Sequence, residues 1–272
     1  LNSRTVKFWQ NLGVTRVVLA REASREDLIN IAKTGIEIET YIHGAMCTSF
    51  SGKCVLSNYM TNRDSNRGGC AQVCRFCFDL DKKRKKNFSI ATKDLNLADH
   101  IKDLIEIGVK HLKVEGRMRG TYYIATVINC YRNLIDAYYN NNWTKSNLER
   151  NLKLLSRVAN RESTSQYFMN EATYKDQYYL DRMEVSNQDF LGLILDYDEK
   201  TSYATIEQRN YFKKGDKVNI FGPEKCDFDF VITDILNENN ESIEIARHPK
   251  EILKIKVPRS VCKDSMMRIW IN

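Results

Sequence analysis

Apolar and polar positions along the first half of the chain recur with two different periods. Val6, Phe8, Trp9 and Leu12 mark the end of a helix that Gly13 breaks, and Arg16-Val-Val-Leu-Ala20 reads as a short buried strand. Ser24-Arg-Glu-Asp27 has the form of a capping box and predicts a helix through Lys33, ended by Gly35. Glu37-Ile-Glu-Thr-Tyr-Ile42 predicts a second strand that stops at His43-Gly44. Leu95, Ala98, Ile101 and Ile105 predict an amphipathic helix stopped by Gly108. A third strand is expected at His111-Leu-Lys-Val-Glu115, followed by long helices over 121–141 and 146–159.

Alternating strands and helices imply a parallel sheet. Polar residues gather where each strand stops: Arg21 and Glu22, then His43, then Glu115 and Arg117. In (β/α) barrels that end of the strands carries the active site. A complete barrel needs about 250 residues, and three strand–helix units are legible here. The first units of the barrel are therefore expected to lie outside this sequence. From about residue 187 the pattern changes to short strands between turns: Phe190–Leu195, Ser202–Ile206, Lys217–Phe221 and Phe228–Ile232. All three prolines lie in this part. The expected fold class is thus α/β, a partial TIM-like (β/α) barrel over 1–182 followed by a small antiparallel β-barrel domain over 187–272.

With 272 residues and 42% hydrophobic content, each domain has material for a core. No apolar run approaches the roughly 18–20 residues of a membrane span, and Leu1-Asn-Ser-Arg-Thr5 does not resemble a signal peptide. A reducing cytoplasm is the default location, where clustered cysteines favour metal or redox work over disulfides. The net charge of +7 is compatible with a nucleic-acid partner without being a strong basic footprint. The dense run Lys82-Lys83-Arg84-Lys85-Lys86 is either a solvated loop tip or a contact to a phosphate backbone.

Five of the eight cysteines fall between Cys47 and Cys77. They sit in His43-Gly-Ala-Met-Cys47, Ser51-Gly-Lys-Cys54 and Arg67-Gly-Gly-Cys70-Ala-Gln-Val-Cys74-Arg75, with Cys77 following. Structural zinc sites favour two short hooks, and only the second pair, Cys70 and Cys74, has that form. Iron–sulfur clusters tolerate irregular spacing. The spacing alone leaves a cluster, a zinc site, and disulfides or free thiols all open. Cys130, Cys226 and Cys262 are isolated and read as buried small apolar residues.

The segment from His43 to Cys54, with Asn66-Arg-Gly-Gly-Cys-Ala-Gln-Val-Cys-Arg75, resembles the signature of the collagenase-like, U32-type peptidase family. Leu19-Ala-Arg-Glu22, Lys113-Val-Glu-Gly-Arg-Met118, Glu207-Gln-Arg-Asn210 and Ala246-Arg-His-Pro249 continue the likeness over nearly the whole chain. The family label suggests proteolysis, yet the chain shows no His-Glu-x-x-His motif and no Gly-x-Ser-x-Gly elbow. A Cys47–His43 pair is the remaining peptidase candidate. Relatives in the family are oxygen-independent hydroxylases, and the β-domain blocks are most similar to the branch that hydroxylates the wobble uridine of tRNA with prephenate as oxygen source. The resemblance implies a [4Fe-4S] cluster on Cys47, Cys54, Cys70 and Cys74, with tRNA as partner. The alternatives are a peptidase and a zinc-stabilised RNA-binding module.

Prephenate is a dicarboxylate, and arginine forks hold carboxylates bidentately. Arg67 and Arg75 are the candidate substrate-binding residues, with Arg21 and Arg117 at the strand ends; the alternative for Arg67 and Arg75 is support of thiolate charge. Glu22 and Glu115 are candidates for acid–base work or for ion pairs with those arginines. His43 is expected either to donate to cluster or substrate or to be a buried, hydrogen-bonded histidine. Lys113, between Leu112 and Val114, is expected to point inward and to need a partner. Tyr203, Tyr211 and Phe212 are candidate stacking platforms for a splayed base.

Overall fold

The computed structural model describes residues 2–79, 87–159, 161–169, 171–178, 188–224 and 226–271. The run Lys82–Lys86 lies outside them. The chain forms two compact units. The first comprises Leu1–Arg119, Leu134–Leu148 and Ala159–Val185, and the second comprises Gly120–Asn133, Glu149–Val158 and Ser186–Asn272.

The first unit begins with α1 (Ser3–Asn11), whose first turn is capped by the Asn2 side chain accepting from Thr5 N–H. Only Val6 of this helix is buried, while Phe8 and Trp9 are exposed. β1 (Arg16–Val18) is an edge strand rather than the buried one that its valines predict. Among the described residues it pairs with β2 alone, so Arg16 and Val18 keep an open face and burial resumes at Leu19. α2 (Arg25–Ala32) starts at a capping box in which Ser24 and Asp27 each accept the other's backbone N–H. Its Leu28 and Ile31 are fully buried.

β2 (Glu37–Gly44) is the centre of the sheet, parallel to β1 on one side and to β6 (His111–Glu115) on the other. This parallel β1-β2-β6 core, with α2 and α4 (Ile101–Ile107) in the crossovers, is an arc of a (β/α) barrel. Between β2 and α4 lies the cysteine segment, with α3 (Leu56–Thr61) and the small hairpin β3 (Phe78–Asp79) and β4 (Asn87–Phe88). The helix expected to start near Leu95 begins later. Asp94–Asn96 is instead a strand, β5, antiparallel to the end of β2. Asn96 Oδ1 accepts from Ala98 N–H at 3.1 Å, which turns the chain into a short 3₁₀ segment before α4. β7 (Ser163–Thr164) extends the sheet beside β5.

Two helices follow β6: α5 (Thr121–Tyr139) and α6 (Lys145–Val158). Their segments 120–133 and 149–158 group with the β domain, although their place in the chain assigns them to the first domain. Long-range polar contacts draw them there. Asn129 and Asn133 donate to Asp227 at 3.1 and 3.0 Å, and Arg150 pairs with Asp229 at 2.7 Å.

The β domain contains β8 (Phe190–Asp198), β9 (Tyr203–Gln208), β11 (Lys217–Phe221), β12 (Asp227–Val231), β13 (Ile235–Leu236), β15 (Ile252–Lys256) and β16 (Met266–Ile269). They form one antiparallel sheet in the order β12-β11-β16-β8-β9-β15-β13, a half-barrel whose end strands do not meet among the described residues. The small pair β10 (Phe212–Lys213) and β14 (Ile245–Ala246) stands beside it. Alternate residues such as Ile194, Ile206, Ile220 and Ile255 bury into one core. Each such side chain contributes roughly 1.5–3 kcal/mol. Phe212, a predicted stacking platform, is part of this core, and Tyr203 donates its hydroxyl to Asp234 at 2.6 Å. Tyr211 alone of the three is largely exposed, at 53%. Among the described residues no helix is long and apolar enough to cross a membrane.

Candidate functional site

Gly44 closes β2 with φ +107°, a conformation that L side chains rarely adopt. A Cβ at this position would lie 2.3 Å from the Glu115 carbonyl oxygen, so the ends of β2 and β6 touch through backbone here. The chain leaving Gly44 is thereby set across the strand ends.

The cysteine segment is fastened to that end by local hydrogen bonds. Glu22 accepts from Ser51 N–H at 3.0 Å and from the Ser51 hydroxyl at 2.8 Å. The Cys54 carbonyl accepts from Ser65 Oγ at 3.0 Å and Asn66 Nδ2 at 2.8 Å, and Ala71 N–H donates to Ser57 Oγ at 3.0 Å. Val73 anchors the second hook in the core. The result is a cavity of about 590 Å³ lined by Cys47, Cys54, Cys70 and Cys74, with Arg21 and Arg117 on its wall.

The thiols differ in environment. Burial pushes the Cys74 thiol up, opposed by the Arg75 cation and reinforced by charge on Cys47, Cys70 and Cys54. That mutual influence reflects four sulfurs facing one space. The Cys54 thiol is held down, first by a hydrogen bond from Ser65 and also by the N–H groups of Leu56 and Ser57. Gln72 N–H donates to Cys70 Sγ at 3.3 Å. Cys77 is exposed and lines neither this cavity nor the one beside it. Among the described residues no three His, Cys, Asp or Glu side chains are grouped to hold a metal ion. Of the isolated cysteines, Cys130 is fully buried and its thiol is pushed up to about 12, whereas Cys226 and Cys262 are half-buried.

The remaining candidates fall into three groups. Arg21 pairs with Glu115 at 2.7 Å and lies 4.5 Å over the Tyr41 ring, so the strand-end carboxylate is engaged by an arginine. Arg75, Glu115 and Arg117 line a second cavity together with Arg119 and Arg161. Three residues lie apart from both cavities. Arg67 has a side chain 88% exposed, 3.6 Å from Asp64. Lys113 donates to Glu39 at 2.9 Å, and with 41% of its side chain exposed it is not buried inward. His43 is buried and hydrogen-bonded to Asn96. Burial first, then the Arg119 cation, hold its imidazole down at about 4, with the Asn96 bond opposing them.

The site also contains residues with no signal in the spacing. Asp94 takes Arg119 at 2.5 Å and Arg161 at 3.3 Å, and all three are largely buried. Their separation of 25 to 67 positions hides the trio from any local pattern, although Arg119 stands two residues after Arg117.

The profile of peptidase family U32 matches residues 1–178, and that of the U32 C-terminal domain matches residues 186–268. The chain is 42% identical over 279 residues to tRNA hydroxylation protein P1 of Bacillus subtilis, covering 98% of this chain and 66% of that protein. It is 28% identical over 242 residues to a protein named collagenase from Porphyromonas gingivalis, covering 82% of this chain and 58% of that one. The crystal structure of the C-terminal domain of a Geobacillus thermoleovorans protein classed with the U32 peptidases is 42% identical. It covers 32% of this chain and 100% of that one, with a TM-score of 0.30. The chain thus spans slightly under two thirds of the Bacillus relative's length.

Proposed function

We propose a tRNA hydroxylase activity for this chain, which belongs to peptidase family U32. The reaction would exchange the C5 hydrogen of the wobble uridine for the hydroxyl of prephenate in the cytoplasm, the donor carbon taking the hydrogen and being reduced by the two electrons that uridine loses. The observation that supports it most is the gathering of Cys47, Cys54, Cys70 and Cys74 around one cavity beside Arg21 and Arg117. The name of the Bacillus relative supports the substrate class.

The donor set fits a [4Fe-4S] cluster. Four thiols spread around a cavity suit a wide cube of iron and sulfide better than one small ion, which needs its ligands already converging. N–H donors from Leu56, Ser57 and Gln72 face two of the sulfurs and suit thiolate charge. A cluster held by Cys47, Cys54, Cys70 and Cys74 would supply electron transfer. The chain's own residues do the rest. Glu22 holds the Ser51 turn and thus the Cys47–Cys54 loop, while Arg21, on the cavity wall, and Glu115 fix each other. Tyr211 of the β domain offers a ring for RNA stacking.

The collagenase-named relative favours a second reading, a peptidase built on Cys47 and His43. The geometry speaks against it. His43 faces Asn96 and Arg119, lines neither cavity and stays neutral, so it is not placed as a base for Cys47.

The test is anaerobic purification of the full-length protein with iron, sulfide and zinc analysis, alongside mass analysis of tRNA from a deletion strain. The expected result is about four irons per chain, with wobble uridine lacking its added oxygen in the deletion. Wild-type protein should restore the oxygen and Cys54→Ser should not. Colourless protein holding zinc, or unchanged tRNA, would overturn the proposal.

A further inference from the structure

Two stretches of the β domain that lie far apart in the chain, Glu207–Asn210 and Ala246–Pro249, meet on one small surface. Gln208, at the end of β9, donates its N–H to the Glu251 carbonyl at 2.9 Å, and its own carbonyl accepts from Lys250 N–H at 2.7 Å. Further on, Phe212 of β10 pairs with Ala246 of β14, and Lys213 with Ile245. The same register, continued by one residue, sets Arg247 across from Tyr211, the arrangement in which cross-strand side chains adjoin.

The amides of the first stretch are used inward. Gln208 is fully buried and its amide donates to the Asn210 carbonyl at 3.1 Å, while the Asn210 amide donates to the Phe190 carbonyl at 2.7 Å. Phe212 is fully buried on the other side. Tyr211 is thus held between two anchored neighbours with its ring half exposed.

The second stretch ends in a tight turn, closed by Glu251 N–H donating to the His248 carbonyl at 3.0 Å, with Pro249 and Lys250 at its centre. Lys250 has φ +71°, the left-handed region that favours glycine, so a lysine there carries backbone strain that glycine would avoid. Arg247, His248 and Lys250 are exposed, as is Lys213, which alternates with buried Phe212 and so shares the outer face with Tyr211. Of the nearby carboxylates, Glu207 is paired with Arg209, Glu244 with Lys214, and Asp216 accepts the Lys213 N–H; Glu251 is half-buried. Among the described residues no carboxylate pairs with the side chains of Lys213, Arg247 or Lys250.

We propose that this face, Tyr211 with Arg247, Lys250 and Lys213, binds a single-stranded stretch of RNA. A splayed base stacks on the exposed ring, and the flanking phosphates meet the cations. The surface around the ring is charged rather than apolar, which suits a polyanion with open bases better than a folded protein partner. That the RNA is a tRNA loop rests on the hydroxylase reading; the chemical class of the partner does not.

The experiment is a fluorescence-anisotropy titration of the full-length protein with an anticodon stem-loop at several salt concentrations. A blunt RNA duplex of equal length and an oligoglutamate peptide are the comparisons. Wild-type protein should bind the stem-loop at least about tenfold more tightly than either, the scale of one stacked base. Tyr211→Ala should lose about tenfold in affinity with the salt slope unchanged, and Tyr211→Phe should keep it. Arg247→Gln and Lys250→Gly should each weaken binding and flatten the slope of log affinity against log salt by about 0.7, the share of one phosphate on a single strand. Lys256→Gln, at the far end of β15, should keep the wild-type slope. Glycine suits the backbone at position 250, so Lys250→Gly keeps the turn, and melting curves on all variants separate lost binding from lost folding.

Stem-loop affinity and salt slope unmoved in folded Tyr211→Ala, Arg247→Gln and Lys250→Gly would overturn the proposal. So would peptide binding that these variants lose while stem-loop binding persists, which would assign the face to an acidic protein segment. Variants that bind the stem-loop and restore tRNA hydroxylation as wild type does would refute this face and leave the hydroxylase reading standing. Face-dependent RNA binding with tRNA unchanged in the deletion strain would do the reverse.

Discussion

Arg119 and Asp94 pair at 2.5 Å across 25 positions of sequence, with the carboxylate 3% exposed and its other oxygen facing Arg161 at 3.3 Å. Removing the carboxylate takes away the buried anion that Arg119 and Arg161 share. Asp94→Ala is expected to destabilise the first unit by about 3–5 kcal/mol, the range for breaking a buried ion pair on one side. Denaturant unfolding read through that unit checks this, and a loss under about 1 kcal/mol would mean the trio is open to water.

His43 makes stability depend on pH. Its imidazole titrates at about 4 in the fold and at the ordinary 6.5 when unfolded. Below pH 6.5 the unfolded chain therefore binds a proton that the folded chain refuses. The contribution is complete above pH 6.5 and is lost progressively as pH falls toward 4, reaching about 3 kcal/mol. Urea midpoints for wild type should fall more steeply over this window than those for His43→Gln. Parallel slopes would show that His43 is protonated in the fold.

Gly44 and Gly52 both adopt positive φ, at +107° and +73°, but only Gly44 meets a neighbour. Gly44→Ala forces a methyl into the Glu115 carbonyl and is expected to cost roughly 3 kcal/mol or more through combined strain and overpacking. Gly52→Ala faces open space and should cost about 1 kcal/mol, from backbone strain alone. Melting temperatures for the pair decide the matter; equal losses would mean that β2 and β6 do not touch there.

Cys74 and Cys77 form a short hook, yet only Cys74 lines the sulfur cavity. If the sulfur-lined cavity holds the proposed cluster, Cys74→Ser should lose most of the iron found in wild type after anaerobic purification, and Cys77→Ser should keep it. The reverse result would move the fourth ligand to Cys77.

Much of the barrel arc was legible along the chain, because its elements are local. The Ser24–Asp27 capping box, the strand at His111–Glu115 and the glycine stop at Gly108 each act within a few residues. The apolar period at Leu95 fits a strand as well as a helix, and β2's edge and the Asn96 turn decide for the strand. In the β domain the later strands β13 to β16 are short, and pairing with distant partners defines them.

By itself the sequence determined the alternation of strands and helices, the change to a β domain near residue 187, and the cysteine signature. These depend on spacing and residue type, which a linear chain carries in full. Only the tertiary structure decided which arginines share a cavity. It turned Arg67 to solvent, set Glu115 on Arg21, and joined Asp94, Arg119 and Arg161 from separate segments. Electrostatic pairing acts over ångströms of space with no regard to separation in the chain, so such a cluster exists only once the backbone has brought its members together.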